Sequence, residues 1–306
     1  MPLLVNGSRA VLPCDTVDFL NTYPHFQESA KALTGQTVRT VDPKVGFYVH
    51  QREFAVTVPA DDSVSILGSD DATTCHLAVL RHTGNGVTCV AHFDELNIMM
   101  AVSSMVNAVK GFSAGCTDGC LELHLIGGFC DDRRMSKKIS LQILEAFGKQ
   151  QEDVHLKTFC VTELNDVVKN GIHWPIIYGI GVDVKTGEIF NASFPDRGPD
   201  EVLRSVRTSE GRLMEKIYDS ESRQVQIEPF CWYPYRHVEE LLAQSDEVLL
   251  QCLSTSPLVE PPHFISHIKK MLMFLRDHPC PSVFFPEGKP RVYKRNSEGL
   301  WDRVYS

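Results

Sequence analysis

The chain has 306 residues, 43 % of them hydrophobic and 23 % charged, enough for one large domain or two ordinary ones around a substantial core. Thirty Lys and Arg against 39 Asp and Glu leave a net charge of −9, which repels phosphate backbones, so nucleic acid is not expected as a partner. No run approaches the ~18 apolar residues of a membrane-spanning helix, and the opening MPLLVNGSRAVLP lacks the basic flank and apolar core of a secretory signal.

In chain order, residues 15–35 (DTVDFLNTYPHFQESAKALTG) predict helix, broken near Pro24 and ended at Gly35. VGFYVHQREFAVTV (45–58) and SVSILGS (63–69) are rich in β-branched and aromatic residues and predict strands about a PADD turn. HLAVLRH and VTCVAHF flank TGNG and predict a hairpin. In NIMMAVSSMVNAVKGF, Ile98, Val102, Met105, Val106 and Val109 fall at helical spacing. LELHLIGGF is a strand ending in a glycine pair, MSKKISLQILEAFG a helix with Ile139, Ile143 and Phe147 on one face, and VHLKTFCVT a further strand. PIIYGIGVDVKTGEIFNASF makes two strands about a KTGE turn. Its glycines lack the third Gly and following helix of a dinucleotide site.

From about residue 196 the texture changes: PDRGPDE and EPFCWYPYR are loop-like, VEELLAQSDEVLLQCL and FISHIKKMLMFLRDH are amphipathic helices, and RVYKRNSEGLWDRVY closes as a hairpin. Strands and helices that do not alternate strictly favour an α+β arrangement over a doubly wound parallel sheet. The expectation is a single extended domain, 1–306, with a core at about 45–195 and a C-terminal extension at about 196–306.

Ten cysteines without a secretory signal are read as free thiols of a reducing compartment, cytosolic or nuclear. Cys116, Cys120 and His124 come nearest to a metal pattern, but no second pair at zinc spacing completes it, so no metal is expected. Pro2 after Met1 suggests that the initiator Met is removed.

The chemistry concentrates at ILGSDDATTCHLAVL, where Asp70, Asp71, Thr73 and Thr74 run straight into Cys75. A two-residue hairpin loop joins i to i+3, so cross-strand partners always sum to an odd number. Cys75 and His92 satisfy this for any two-residue loop within TGNG and therefore share a face of the ribbon. With Gly84-Asn85 as the loop, Cys75 faces Asp94 and His92 lies a diagonal step away. With Thr83-Gly84 as the loop, Cys75 and His92 face each other. Thiol beside imidazole is a device for generating a thiolate and then protonating a leaving group. His76 and Cys89 obey the same parity on the opposite face, so parity shows which pairs can form and not which one works.

The segments SILGSDDATTCHLAVLRHTGNGVTC, HLIGGF, CVTELND, PIIYGI, SFPDRGPDE, LSTSPLVEPPHF and GLWDRVYS resemble the eukaryotic protein N-terminal asparagine amidohydrolase family along the whole chain. A remoter similarity, over about 45–195, is to bacterial chemoreceptor glutamine deamidases and the Cys-His deamidase domains of cytotoxic necrotizing factor toxins; there Cys follows LGS directly, whereas here DDATT intervenes. The resemblance implies a layered α-β-β sandwich and hydrolysis of an N-terminal Asn side-chain amide to Asp on proteins or peptides. The product would then feed the degradation pathway that reads N-terminal residues. It implies Cys75 as nucleophile and His92 as acid and base, with no metal or organic cofactor. In the bacterial relatives a hydroxyl from the preceding strand orients the His, for which Ser65 is the candidate here, with Ser69 behind it.

A substrate defined by its free α-ammonium asks for a carboxylate to receive it. Asp70 and Asp71 are near the nucleophile in sequence, and Glu260 in LVEPPHF is the alternative. Backbone N–H groups around Thr74 and Cys75 are the expected oxyanion donors. The partners expected are peptides or proteins with free N-terminal Asn, met by a monomer. An internal Gln or Asn deamidase and a non-catalytic N-terminus-binding protein are the alternatives.

Overall fold

The computed structural model describes residues 3–209 and 213–305; Met1 and Pro2 lie outside them. Its centre is the predicted hairpin. Strand His76–His82 pairs antiparallel with Thr88–Phe93 on one side and with Leu121–Gly127 on the other. Among the described residues this sheet has eleven strands. Beyond Leu121–Gly127 come Val154–Val161, Leu3–Val5 and Ser8–Arg9. Beyond Thr88–Phe93 come Glu53–Thr57, Glu215–Asp219, Gln224–Ile227, Arg291–Arg295 and Trp301–Val304. The strands after residue 196 thus extend the sheet that carries the hairpin.

Side-chain alternation divides the molecule into layers. Ala78, Leu80, Cys89, Ala91 and Phe93 point to one face, where Val102, Met105 and Val106 of helix Ile98–Ser113 and Ile139, Ile143 and Phe147 of helix Met135–Gly148 cover them. Leu77, Val79 and Val90 point to the other, against Phe47, Leu67, Ile180 and Val182 of a second, five-stranded sheet. That sheet runs Arg39–Thr40, Ile189–Ser193, Ile180–Asp183, Ile66–Ser69, Gly46–Tyr48. The result is the expected α+β architecture of helices, sheet and sheet.

The hairpin register is the one centred on Gly84-Asn85: Leu77 pairs with His92 and His76 with Phe93. The connection is longer than two residues. His82 closes it, donating to Val87 O at 2.9 Å and accepting from Gly86 N at 2.8 Å, and leaves 83–86 as the loop. Two extra residues preserve the parity. The first predicted helix divides as expected, into Thr16–Thr22, capped by Asp15, and Phe26–Thr34, ending at Gly35.

The stretch 45–58 is not one strand. Gly46–Tyr48 joins the small sheet and Glu53–Thr57 the large one, with Arg52 between them at φ +59°. Polar residues fix this corner. Buried Glu53 accepts from Arg204 at 2.6 and 3.0 Å and pairs with Arg207 at 3.1 Å, while its carboxylate also holds the His50 N–H at 2.9 Å. Arg204 donates to Tyr48 O as well. Both arginines come from helix Glu201–Ser209, which the sequence reading left unassigned beside PDRGPDE.

Candidate functional site

Cys75 sits one residue before strand His76–His82, where the register carries it opposite Asp94 and diagonal to His92. Both line a cavity of about 370 Å³ between the two sheets and the C-terminal region. Leu253, Ser254, Thr255 and Glu260 form one wall, together with Phe264, His267 and Met271 from helix Phe264–Asp277. The parity controls face away: His76 is bonded to Ser140 at 2.7 Å in the helix layer, and Cys89 is buried there.

The glycine pair at 127 and 128 lets strand Leu121–Gly127 close on the backbone of Cys75. Gly127 stands at φ +128°, where a Cβ would meet Cys75 O at 2.5 Å, and Gly128 N–H donates to that same carbonyl at 2.9 Å.

His92 is held by Ser69. The Ser69 hydroxyl donates its proton to Val49 O at 2.6 Å, so at 2.7 Å from His92 Nδ1 it can only accept, and Nδ1 carries the ring proton. Nε2 is left with its lone pair, enclosed and without a hydrogen-bond partner among the described residues. Burial, with help from Arg197, lowers the His92 pKa to about 4 against the pull of Asp94, Asp71 and Glu53. Burial likewise pushes the Cys75 thiol far up, Asp94 and Glu260 adding to this and Arg52 opposing it. At neutral pH the pair therefore rests as thiol and neutral imidazole.

Ser65, the first candidate for orienting His92, precedes strand Ile66–Ser69 and does not line the cavity; its N–H donates to Val45 O and its carbonyl accepts from Val184 N. Ser69, four residues on, takes that place. Both serines lie on the motif and share a parity, and the DDATT insertion hid which one meets the imidazole.

The acidic residues divide sharply. Asp70 and Asp71 both line the cavity, but Arg197 bridges them: it is 3.2 Å from Asp70 Oδ1, hydrogen-bonds Asp71 Oδ2, and lies over the Tyr48 ring at 5.0 Å. Phe194 N–H also donates to Asp70, and His263 meets Asp71 at 2.6 Å. Burial and the neighbouring Asp71 raise the Asp70 pKa to about 6 despite Arg197. Burial acts the same way on Asp71, but Arg197 and His263 outweigh it and hold that carboxyl below the usual range. Asp94 is taken by Arg52 at 2.5 Å and Gln51 at 2.7 Å, and Glu95 pairs with Lys138.

Glu260 differs. Its Oε1 accepts only neutral hydroxyls, Ser254 at 2.5 Å and Ser256 at 3.2 Å, and among the described residues it is the cavity carboxylate without a cationic partner. Burial raises its pKa, with those hydroxyls opposing and Asp71 adding. Thr74 bonds Thr255 at 3.0 Å, and the hydroxyls of Ser256 and Thr73 lie 2.9 Å apart, so the 254–260 segment is stitched to the residues leading into Cys75.

Arg197, Arg52 and Thr255 belong to the site and were not singled out from sequence. Their segments carried the resemblance or the strand prediction, but nothing in their local pattern announces a cavity. Cys116, Cys120 and His124 do not form a metal cluster among the described residues; Cys116 bonds Asp118 O and His124 bonds Thr158. Asp71, His263 and His267 do offer ligand atoms within 4.8 Å of one another, but the Arg197 guanidinium occupies that ground.

The family model "Protein N-terminal asparagine amidohydrolase" matches residues 36–303. Proteins of that name are similar along the whole chain: the human one is 51 % identical over 307 residues, covering 100 % of this chain and 99 % of its own, and that of Sus scrofa is 52 % identical with the same coverage. The Arabidopsis thaliana protein is 31 % identical over 284 residues, 84 % of this chain and 80 % of its own. With its cavity, its Cys and its oriented His in place, the chain belongs to the protein N-terminal asparagine amidohydrolase family.

Proposed function

We propose that this enzyme hydrolyses the side-chain amide of an N-terminal Asn on a protein or peptide, through a thioester on Cys75. The observation that carries this mechanism is the Ser69–His92 hydrogen bond, which fixes the tautomer and presents an unprotonated Nε2 on the face shared with Cys75.

Cys75 Sγ gives its proton to His92 Nε2 as sulfur attacks the carboxamide carbon. The amide oxygen becomes an oxyanion, received by backbone N–H groups around Thr74 and Cys75. His92 returns the proton to the departing nitrogen, ammonia leaves, and the acyl group stays on sulfur. Water, deprotonated by His92, then attacks the thioester and releases Asp and the thiol. Ser69 positions the imidazole throughout.

Glu260 receives the substrate's α-ammonium. Asp70 and Asp71 are already neutralised by Arg197, whereas Glu260 is stabilised only by hydroxyls and gains a charge-assisted bond when the amine arrives.

The test is ammonia release from peptides beginning with Asn, acetyl-Asn and Gln. Turnover of the free Asn peptide alone, with a mass-trapped acyl adduct on Cys75, is expected. Turnover of the acetylated peptide, or full activity in Cys75→Ala, overturns the proposal.

A further inference from the structure

A second cavity, of about 250 Å³, lies beside the first and shares Thr255 with it. Cys130 and His173 line it, together with Ser256, Leu258 and Val259. Cys130 follows the glycine pair that ends strand Leu121–Gly127. Asp166 and His173 come from the hairpin of Asp166–Lys169 and Ile172–Pro175, where Asp166 pairs with Pro175 and Val168 with His173, so alternation puts both side chains on one face.

The three groups are organised around one another. Asp166 Oδ2 is 2.6 Å from His173 Nδ1, and Asp166 Oδ1 accepts the Cys130 N–H at 3.0 Å. One ligand atom from each of Cys130, Asp166 and His173 lies within 4.8 Å of the other two. Unlike the Asp71–His263–His267 cluster, this one has no cationic side chain bonded into it among the described residues.

We infer that Cys130, Asp166 and His173 form a binding site for a borderline-soft divalent cation of the zinc type, with its fourth position open to the second cavity. The donor set is thiolate, imidazole and carboxylate, the mixture that such an ion prefers over calcium or magnesium. A tetrahedral ion at ~2.0–2.3 Å from each donor requires the trio to draw in by about an ångström, a displacement that side chains of intermediate burial can make.

The electrostatics fit a cation better than a second nucleophile. Cys130 lies among the carboxylates of Asp166, Glu163 and Asp131. The same negative surroundings attract a dication, which displaces the thiol proton. Binding balances as one cation taken up and one proton released from Cys130, with the His173 ring proton moving from Nδ1 to Nε2 and the Asp166–His173 hydrogen bond exchanged for two bonds to the ion. No oxidation is involved, and the site is independent of the amidohydrolase reaction.

The experiment is a calorimetric titration of the metal-free enzyme with Zn²⁺ in buffers of different ionisation enthalpy, repeated with Cys130→Ser and His173→Ala. One equivalent bound with release of a proton is expected, and each substitution should weaken binding about tenfold or more. Co²⁺ in place of Zn²⁺ should show a thiolate-to-metal charge-transfer band that Cys130→Ser removes. Thermal melts of the metal-free variants confirm that they are folded. Absence of stoichiometric binding, unchanged affinity in Cys130→Ser, a cobalt spectrum without the thiolate band, or loss of the ion only in His263→Ala each overturns the assignment.

Discussion

Ser69 Oγ stands 2.7 Å from His92 Nδ1, and its own proton is committed to Val49 O, so the serine acts on the imidazole purely as an acceptor. A neutral acceptor fixes ring and tautomer without adding the negative charge that Asp supplies in a Ser-His-Asp triad. Replacing Ser69 with Ala frees the ring to flip or to move its proton to Nε2. We expect kcat to fall about ten- to a hundredfold with KM little changed, within the range of a positioned acid–base. Ser65→Ala should leave kcat untouched. Equal effects of the two substitutions would remove Ser69 from the mechanism.

The acid side of the stability profile follows from His92 and His76. Burial depresses their folded pKa values to about 4 and about 3, against 6.5 for the exposed group. Above 6.5 both are neutral whether folded or not and contribute no pH dependence. As the pH falls below 6.5 the unfolded chain binds protons that the folded one refuses, so stability drops until the folded values are reached, by on the order of 3 kcal/mol for His92 alone. Asp70, raised to about 6, works with opposite sign, because between its ordinary value of 3.8 and 6 the folded state holds the proton; it offsets part of the loss. Urea midpoints at pH 7 and pH 5 should differ less in His92→Gln than in the parent, and an unchanged difference would contradict the burial argument.

Glu53, Arg204 and Arg207 form a fully buried charge group that fastens the corner between the two sheets. Glu53→Gln keeps the shape and leaves Arg204 without an anion in a dry interior, while Arg207 retains Glu215 at 3.0 Å. That substitution should cost about 3–5 kcal/mol, the penalty of breaking a buried pair rather than its net worth. Chemical denaturation checks it. Because the same corner carries His50 and Arg52 into the cavity of Cys75 and His92, surviving protein should also show reduced turnover.

How far the sequence reached depends on the range of the forces involved. Local rules sufficed for the break at Pro24, the helix end at Gly35, the helices at 98 and 135 and the parity of Cys75 with His92, because each is written in neighbouring residues or in a fixed period. The strand predicted across 45–58 failed because its corner is made by Glu53 meeting arginines more than 150 residues away. The surroundings of Asp70 and Asp71 were out of reach for a similar reason: proximity to Cys75 in the chain was visible, but Arg197 between the two carboxylates was not. Glu260 was among the sequence candidates, yet only the inventory of partners separates it from the other acids of the cavity.

Gly127 offers a test of the close approach behind Cys75. Ala at this position would put a Cβ 2.5 Å from Cys75 O at a backbone angle that L-residues avoid, so carbonyl and glycine cannot both stay in place. We expect Gly127→Ala to lower kcat and melting temperature together, while Gly111→Ala, within a helix with nothing near its Cβ, leaves activity alone.

Glu260 is also coupled to the reactivity of Cys75. Its charge raises the thiol's pKa after burial and Asp94, so an ammonium docked on Glu260 should lower that pKa and make the thiol easier to deprotonate when a substrate amine is present. A peptide beginning with Ala supplies the amine without a cleavable amide. The pH dependence of thiolate absorbance, taken as the difference between the parent and Cys75→Ala, should shift to lower pH when this peptide binds and stay put when its amine is acetylated. In Glu260→Gln the thiol should start lower and lose the response. Its kcat/KM for a free Asn peptide should drop about ten- to a hundredfold, the worth of one charge-assisted hydrogen bond. Asp70→Asn, which removes an acid already paired with Arg197, should not erase the response. If the shift persists in Glu260→Gln and vanishes in Asp70→Asn, the amine is read at the aspartates after all, and Arg197 must move aside to allow it.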